Sequence, residues 1–148
     1  WDGHVKPMRV KSFTQSMLDI PATLCSMLGV NVPQGQFQGK DMSADLFAGV
    51  EFDGRETTVS TYNGQQFGLY CSRMICGERY KYIWNATDID EFYDREIDPN
   101  ELTNEISNPE YKDIIADYRL RLLDELTRCR DPLIGWTGEV QLREGRKL

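Results

Sequence analysis

Histidine is nearly absent from this chain: its 148 residues contain one, His4. That scarcity narrows the chemistry. Any Ser-His-Asp or Cys-His arrangement would have to use His4, which lies beside Asp2 in a turn-rich opening segment. No GxSxG elbow is present, so nothing ties His4 to a nucleophile, and it reads as a solvated loop residue. Cysteine is also sparse. Cys25, Cys71, Cys76 and Cys129 form no CxxC pair and no zinc-like spacing. Cys25 and Cys129 fall in predicted helices and read as small buried hydrophobes. Cys71 and Cys76 lie on one predicted strand and point to opposite faces, poorly placed to bond each other. Reduced cysteines are expected, hence a reducing, cytoplasmic compartment. Positive charge is short as well: 17 Lys and Arg stand against 24 Asp and Glu, a net charge of −7. That argues against nucleic acid or an anionic membrane as partner. No apolar run approaches the roughly 18 residues that span a bilayer, and no stretch reads as a leader peptide.

What is present is globular. Hydrophobic residues make up 40% and charged residues 28%, a balance that supports a packed core. Asp19 offers a helix N-cap, with Pro21 early in the first turn. That helix runs to about Leu28, with Gly29 closing it. Leu24, Cys25 and Leu28, near Ile20 and Met17, form its apolar face. Residues 42–47 suggest one further helical turn. Thr57 to Tyr62, Phe67 to Cys76, Arg79 to Trp84 and Glu91 to Asp94 read as strands, with Gly77-Glu78 as a two-residue turn. The short connections favour an antiparallel meander. Pro109 opens the longest helix, with Ser107 or Asn108 as cap. Tyr111, Ile115, Tyr118, Leu122, Leu126 and Cys129 form its amphipathic stripe. Leu120 is the apolar exception on the charged face. Pro132 ends this helix, and residues 132–148 read as an extended or frayed tail. The expected fold is α+β: a small antiparallel sheet of about four strands, packed by a long C-terminal amphipathic helix, with an N-terminal helix.

Four features invite a functional reading. The acidic run Asp88, Asp90, Glu91, Asp94, Glu96, Asp98 and Glu101 suggests calcium. Counted from Asp88, however, the Gly of an EF-hand falls on Tyr93 and its closing Glu on Pro99. Turn chemistry at Asp98-Pro99 and local bonding by Asn104 account for the run without a metal. Arg73, Arg79 and Lys81 could share one side of the hairpin and bind an anion, or could pair with nearby carboxylates. Tyr80, Tyr82, Trp84 and Phe92 could form a carbohydrate platform, or the sheet face that receives the long helix. Asn85-Ala86-Thr87 matches a glycosylation acceptor, which carries weight only in a secretory context.

Several segments, in order, resemble the C-terminal region of the sulfatase family, within the alkaline-phosphatase-like superfamily. Residues 1–7 resemble "WPGxIKPG". Residues 16–24 resemble "SliDlxPTll", and Met27 to Val30 with Pro33 resemble "laGixxP". Gly39 to Met42 with Leu46 and Gly49 resemble "GxSLxxLLxG". Arg79 to Ile83 resemble "xyKyI", and Glu91 to Asn104 resemble "ELYDL…DPxExxN". Ala22 interrupts the usual Pro-Thr pair, and Arg95 replaces an apolar residue. The resemblance spans roughly residues 1–130 and is not specific for a substrate. The family's Cys/Ser-x-Pro-x-Arg signature, whose first residue becomes formylglycine, is missing: none of the four cysteines has Pro two residues on.

The resemblance implies a C-terminal sulfatase subdomain over residues 1–131. Residues 1–50 would continue from a catalytic domain, residues 51–131 would hold the sheet and helix, and residues 132–148 would be the tail. It implies no catalytic residue and no metal ligand in this chain. Calcium and formylglycine would be cofactors of the parent enzyme. The parent's catalytic domain would be the partner, and an isolated fragment could self-associate through its uncovered apolar surface. Tyr62, Asn63, Gln65 and Gln66 cluster polar groups at a strand end and are the expected substrate-side contacts. An ordinary hairpin loop is the other reading of those four. The alternatives are a free-standing glycan- or protein-binding module, or the tail of a phosphodiesterase or phosphonate hydrolase of the same superfamily.

Overall fold

The structure, a computed structural model, describes residues 1–9, 16–51, 54–64 and 70–147. Two compact units divide the chain, Trp1–Thr58 and Val59–Leu148.

The first unit holds helices α1 (Ser16–Met27) and α2 (Ser43–Ala48). Asp19 does not cap α1, as its sequence position suggests. It lies in the first turn, three residues inside the helix. Its carboxylate is drawn outward: the Lys40 backbone N–H donates to Oδ1 (2.7 Å), and the Arg55 guanidinium donates to both oxygens. Thr23, one turn on, accepts from the Met42 N–H (3.1 Å) while donating to the Asp19 carbonyl (2.7 Å). Residues 39–42 are thereby clipped to α1. Gly39 makes the clip possible, because a Cβ there would lie 1.9 Å from the Leu18 carbonyl oxygen. Gly39→Ala therefore forces the loop away and costs about 1–3 kcal/mol. Faster hydrogen exchange at the Lys40 and Met42 amides would report it, and unchanged exchange would refute the clip.

Strands β1 (Thr57–Tyr62), β2 (Ser72–Gly77), β3 (Tyr80–Asn85) and β4 (Glu91–Asp94) form one antiparallel sheet in sequence order. Ile75 pairs with Tyr82 and Tyr82 with Phe92, while Arg73 pairs with Trp84. With a period of two, these residues share one face. The β2–β3 turn is Glu78-Arg79, one residue later than expected, because Gly77 continues β2. Residues 65–69, where the first part of the expected second strand falls, lie outside the described residues.

Asn108 caps a 3-10 turn, Pro109–Tyr111, accepting from the Glu110 N–H (3.0 Å). This turn leads into α3 (Lys112–Arg128). Ile115, Tyr118, Leu122, Leu123 and Leu126 of α3 join Ile75, Tyr82, Trp84 and Phe92 in one buried cluster. The aromatic face is thus the seat of the helix, and its burial excludes a carbohydrate platform. Cys129, expected buried, lies just past α3 and is exposed. None of the four cysteines is in a disulfide.

Residues 132–148 are not a frayed tail. They contain α4 (Trp136–Glu144), which packs on α3. Leu142 is fully buried in the core cluster, and Gln141 Oε1 accepts from the Trp84 indole N–H (2.9 Å). Gly138 lies against Trp84, and a Cβ there would meet the Leu133 carbonyl at 2.7 Å.

Candidate functional site

Tyr62 ends β1 with its side chain exposed, and Asn63 follows, also exposed. Gly64 turns the chain in the left-handed region (φ 69°), where a Cβ would lie 3.0 Å from the Tyr70 carbonyl. Gln65 and Gln66 lie outside the described residues. The Tyr62 carbonyl is held from below: it accepts from Arg73 Nη1 at 3.1 Å. Arg73 is 1% exposed. Its Nε and Nη2 donate to the two oxygens of Asp131 (2.7 and 3.1 Å), and Nη1 also donates to the Ser72 carbonyl (2.9 Å). Such a forked pair fixes direction as well as charge. Burial pushes the Asp131 carboxyl up, yet the Arg73 hydrogen bonds and the Leu133 N–H outweigh it and hold the group below its ordinary value.

The other two cations of the hairpin lie apart from Arg73. Arg79 donates through Nε and Nη2 to Asp94 (2.9 and 2.6 Å) and packs over the Tyr80 ring (4.9 Å). Lys81 pairs with Glu101 of the acidic turn. No shared anion site results, since each cation has its own carboxylate. Two of these partners, Asp131 and Glu101, come from outside the sheet rather than from a neighbouring strand.

The acidic run behaves as turn chemistry. Asp90 accepts from the Tyr82 hydroxyl (2.7 Å), the Asn85 N–H (3.1 Å) and Lys147 Nζ (2.6 Å). Burial, then the Asp90 charge, raises the Tyr82 hydroxyl pKa. Asp98 accepts from the Leu102 and Thr103 amides (2.6 and 2.9 Å). Asn104 joins both ends of the turn, donating to the Asp90 carbonyl (3.0 Å) and accepting from the Phe92 N–H (3.0 Å). Burial and a bond to Glu91 push the Tyr93 hydroxyl up to about 12. Among the described residues, no group of three or more His, Cys, Asp or Glu side chains is placed to hold a metal ion. His4 is exposed and stacks on Trp1 with ring centres 4.3 Å apart. Asn85 of the glycosylation triplet donates its amide to Ile89 and Glu91 (2.8 and 3.0 Å).

Asp94 sets a pH dependence. The Arg79 hydrogen bond lowers its carboxyl pKa below 3.8, burial opposes this, and the Tyr111 hydroxyl assists. A carboxyl depressed in the folded state adds stability that is present above the unfolded value and lost as pH falls through the folded one. Melting temperature should therefore drop as pH falls below 3.8, the ordinary value for Asp94 and Asp131 alike. Asp94→Asn should be less stable at neutral pH and lose less on acidification. An equal acid loss in the variant would contradict this.

Sequence reasoning missed the Arg73–Asp131 pair and the Asp19–Arg55 pair. Their members lie 58 and 36 positions apart, so no local spacing signals them.

A four-stranded antiparallel sheet covered by α3, with its carboxylates engaged by cations and amides, defines an α+β domain. The profile of the family described as N-sulphoglucosamine sulphohydrolase, C-terminal, matches residues 1–128. The chain belongs to this family, the C-terminal region of sulfatases. It is 32% identical over 120 residues to the Delta 4,5-hexuronate-2-O-sulfatase of Bacteroides thetaiotaomicron, covering 80% of this chain and 25% of that protein. It resembles the structure of a 2-O GAG sulfatase with a TM-score of 0.72 at 31% identity, over 85% of this chain and 27% of the other. It also resembles the phosphonate monoester hydrolase of Agrobacterium radiobacter, with a TM-score of 0.64 at 26% identity, over 74% and 24% of the two chains. The chain thus spans about a quarter of the length of each of these three relatives. No helix among the described residues is long and apolar enough to cross a membrane.

Proposed function

We propose that this chain is the C-terminal part of a sulfuric ester hydrolase acting on sulfated sugars of the glycosaminoglycan type. It packs on the catalytic domain, borders the substrate cleft and has no activity alone. The observation that carries this reading is the match to 2-O-sulfatases at 31–32% identity over most of the chain. Tyr62 and Asn63, with Gln65 and Gln66 beside them in sequence, are the residues offered to the cleft. Arg73 supports that role by holding the Tyr62 carbonyl. Four cysteines with no disulfide among them support a reducing compartment, the cytoplasm.

Calcium and formylglycine would belong to the rest of the enzyme. No cysteine of this chain is followed by x-Pro-x-Arg, and Asp94, Asp98 and Asp90 are engaged by cations and turn amides. Such a metal supplies charge stabilisation at sulfur; this chain's contribution is to shape and support the wall beside it. The likeness to a phosphonate monoester hydrolase gives the competing substrate class. The full-length enzyme should release sulfate from 2-O-sulfated disaccharides far faster than it cleaves phosphonate monoesters. The reverse preference would replace the sulfatase reading with the phosphonate one.

A further inference from the structure

Arg119 is a largely buried cation with no carboxylate of its own. Its side chain is 18% exposed, as is that of Lys81, and Arg73 is deeper still at 1%. Arg73 and Lys81 each reach a carboxylate oxygen within hydrogen-bond distance. Arg119 does not. Its Nη2 stops 3.8 Å from Asp90, and its Nε makes a long bond to the Tyr82 hydroxyl (3.4 Å). Asp90 is already filled, by the Tyr82 hydroxyl (2.7 Å), the Asn85 N–H (3.1 Å) and Lys147 Nζ (2.6 Å). Two cations therefore meet one carboxylate, and one positive charge is left over. Water reaches that charge poorly, so an anion that pairs with it gains more than it would on an open surface.

The surplus charge borders a cavity of about 190 Å³. Lys112, Ile115 and Arg119 follow one another on α3 at spacings of three and four, so they line one stripe of the helix. Ile106, Ser107 and Pro109 add to the lining. Lys112 is exposed and pairs with no carboxylate among the described residues. Asn108 also borders the cavity, but its side chain is in use: Oδ1 accepts from the Glu110 N–H (3.0 Å) and Nδ2 donates to Glu105 (2.8 Å).

We propose that this cavity binds a tetrahedral oxyanion carried on one small ring, a sulfate or phosphate monoester of a monosaccharide, held between Lys112 and Arg119. Charge selects the anion. Neither Nη of Arg119 has an acceptor within hydrogen-bond reach among the described residues, and a guanidinium fork suits paired oxygens. The apolar lining selects an ester over a bare ion, because Ile106, Ile115 and Pro109 give a ring face something to pack on. Size selects a single ring, since the volume lies below the roughly 300 Å³ at which sites for drug-sized ligands begin. None of this depends on the sulfatase reading.

Lys112 reports occupancy directly. In the full-length enzyme, its acetylation by an amine-reactive ester can be followed by peptide mass spectrometry at constant ionic strength. Glucose 6-sulfate or glucose 6-phosphate at about 10 mM should slow that reaction at least about fivefold, as a site of roughly millimolar affinity requires. Whichever slows it more identifies the ester. Glucose at the same concentration should leave the rate unchanged. Arg119→Gln should abolish the protection, and Arg119→Lys should keep part of it. A Lys112 rate that neither ester alters would overturn the proposal. So would protection that survives Arg119→Gln, or equal protection by sodium sulfate, which would leave an adventitious ion only. The wild-type comparison needs neither turnover nor a folded variant, so it stands whether or not the enzyme releases sulfate.

Discussion

Arg73→Met should destabilise the chain by about 3–5 kcal/mol, because it strands the Asp131 carboxylate where little water reaches it. Asp131 is nearly buried, and its oxygens take Arg73 Nε and Nη2 together with the Leu133 N–H. The N–H can still be served after the substitution, but the charge has no counter-ion. The Tyr62 and Ser72 carbonyls each lose a charged donor as well. The loss should be mostly reversible by a second change. Arg73→Met with Asp131→Leu replaces an ion pair by apolar volume, an exchange that is often neutral or stabilising. Chemical denaturation of both variants checks this. A single variant within about 1 kcal/mol of wild type would show that the pair is solvated and that the end of β1 is held by something else.

A chain ending at Asp131 should also lose most of its stability, even though the family match stops at residue 128. Truncation removes Leu142, fully buried, and the Gln141 acceptor of the Trp84 indole. It also strips Lys147 from Asp90, leaving Arg119 at 3.8 Å as the remaining cation beside that carboxylate. Losing one buried leucine costs about 2–5 kcal/mol, a large share of the 5–15 kcal/mol that holds a typical domain together. The truncated chain should melt without a cooperative transition at 37 °C, and near-UV dichroism of the buried aromatics should collapse. A sharp, native-like transition after truncation would mean that α4 is dispensable.

These two predictions fall where local pattern was silent. Strand β1 and the apolar stripe of α3 were legible because each is specified within its own segment: β-branched residues in Thr57–Tyr62 and a three-and-four spacing from Tyr111 to Leu126. Helix α4 was not legible. Gly138 lowers its intrinsic propensity, and Gln141 breaks its apolar stripe. Both residues make sense only against Trp84, more than fifty positions earlier. Asp19 misled in the other direction. Its residue type fits an N-cap, but the approach of Gly39 and Lys40 gives its carboxylate a better use inside the helix. The acidic turn was read correctly because Asp98 and Asn104 bond amides within a few positions of themselves. The substrate-side loop remains a proposal resting on local polarity. Polarity at a strand end singles out Tyr62 and Asn63, whereas the support from Arg73 is tertiary and Gln65 and Gln66 lie outside the described residues.

On the proposed function, this chain gives a sulfatase structure and none of its chemistry. Sulfate release from a 2-O-sulfated disaccharide, measured side by side for the 148-residue chain and the full-length enzyme, tests it most directly. The full-length enzyme should turn over, and the 148-residue chain should stay at the buffer rate at any concentration. Sulfate release by the isolated chain would contradict the claim.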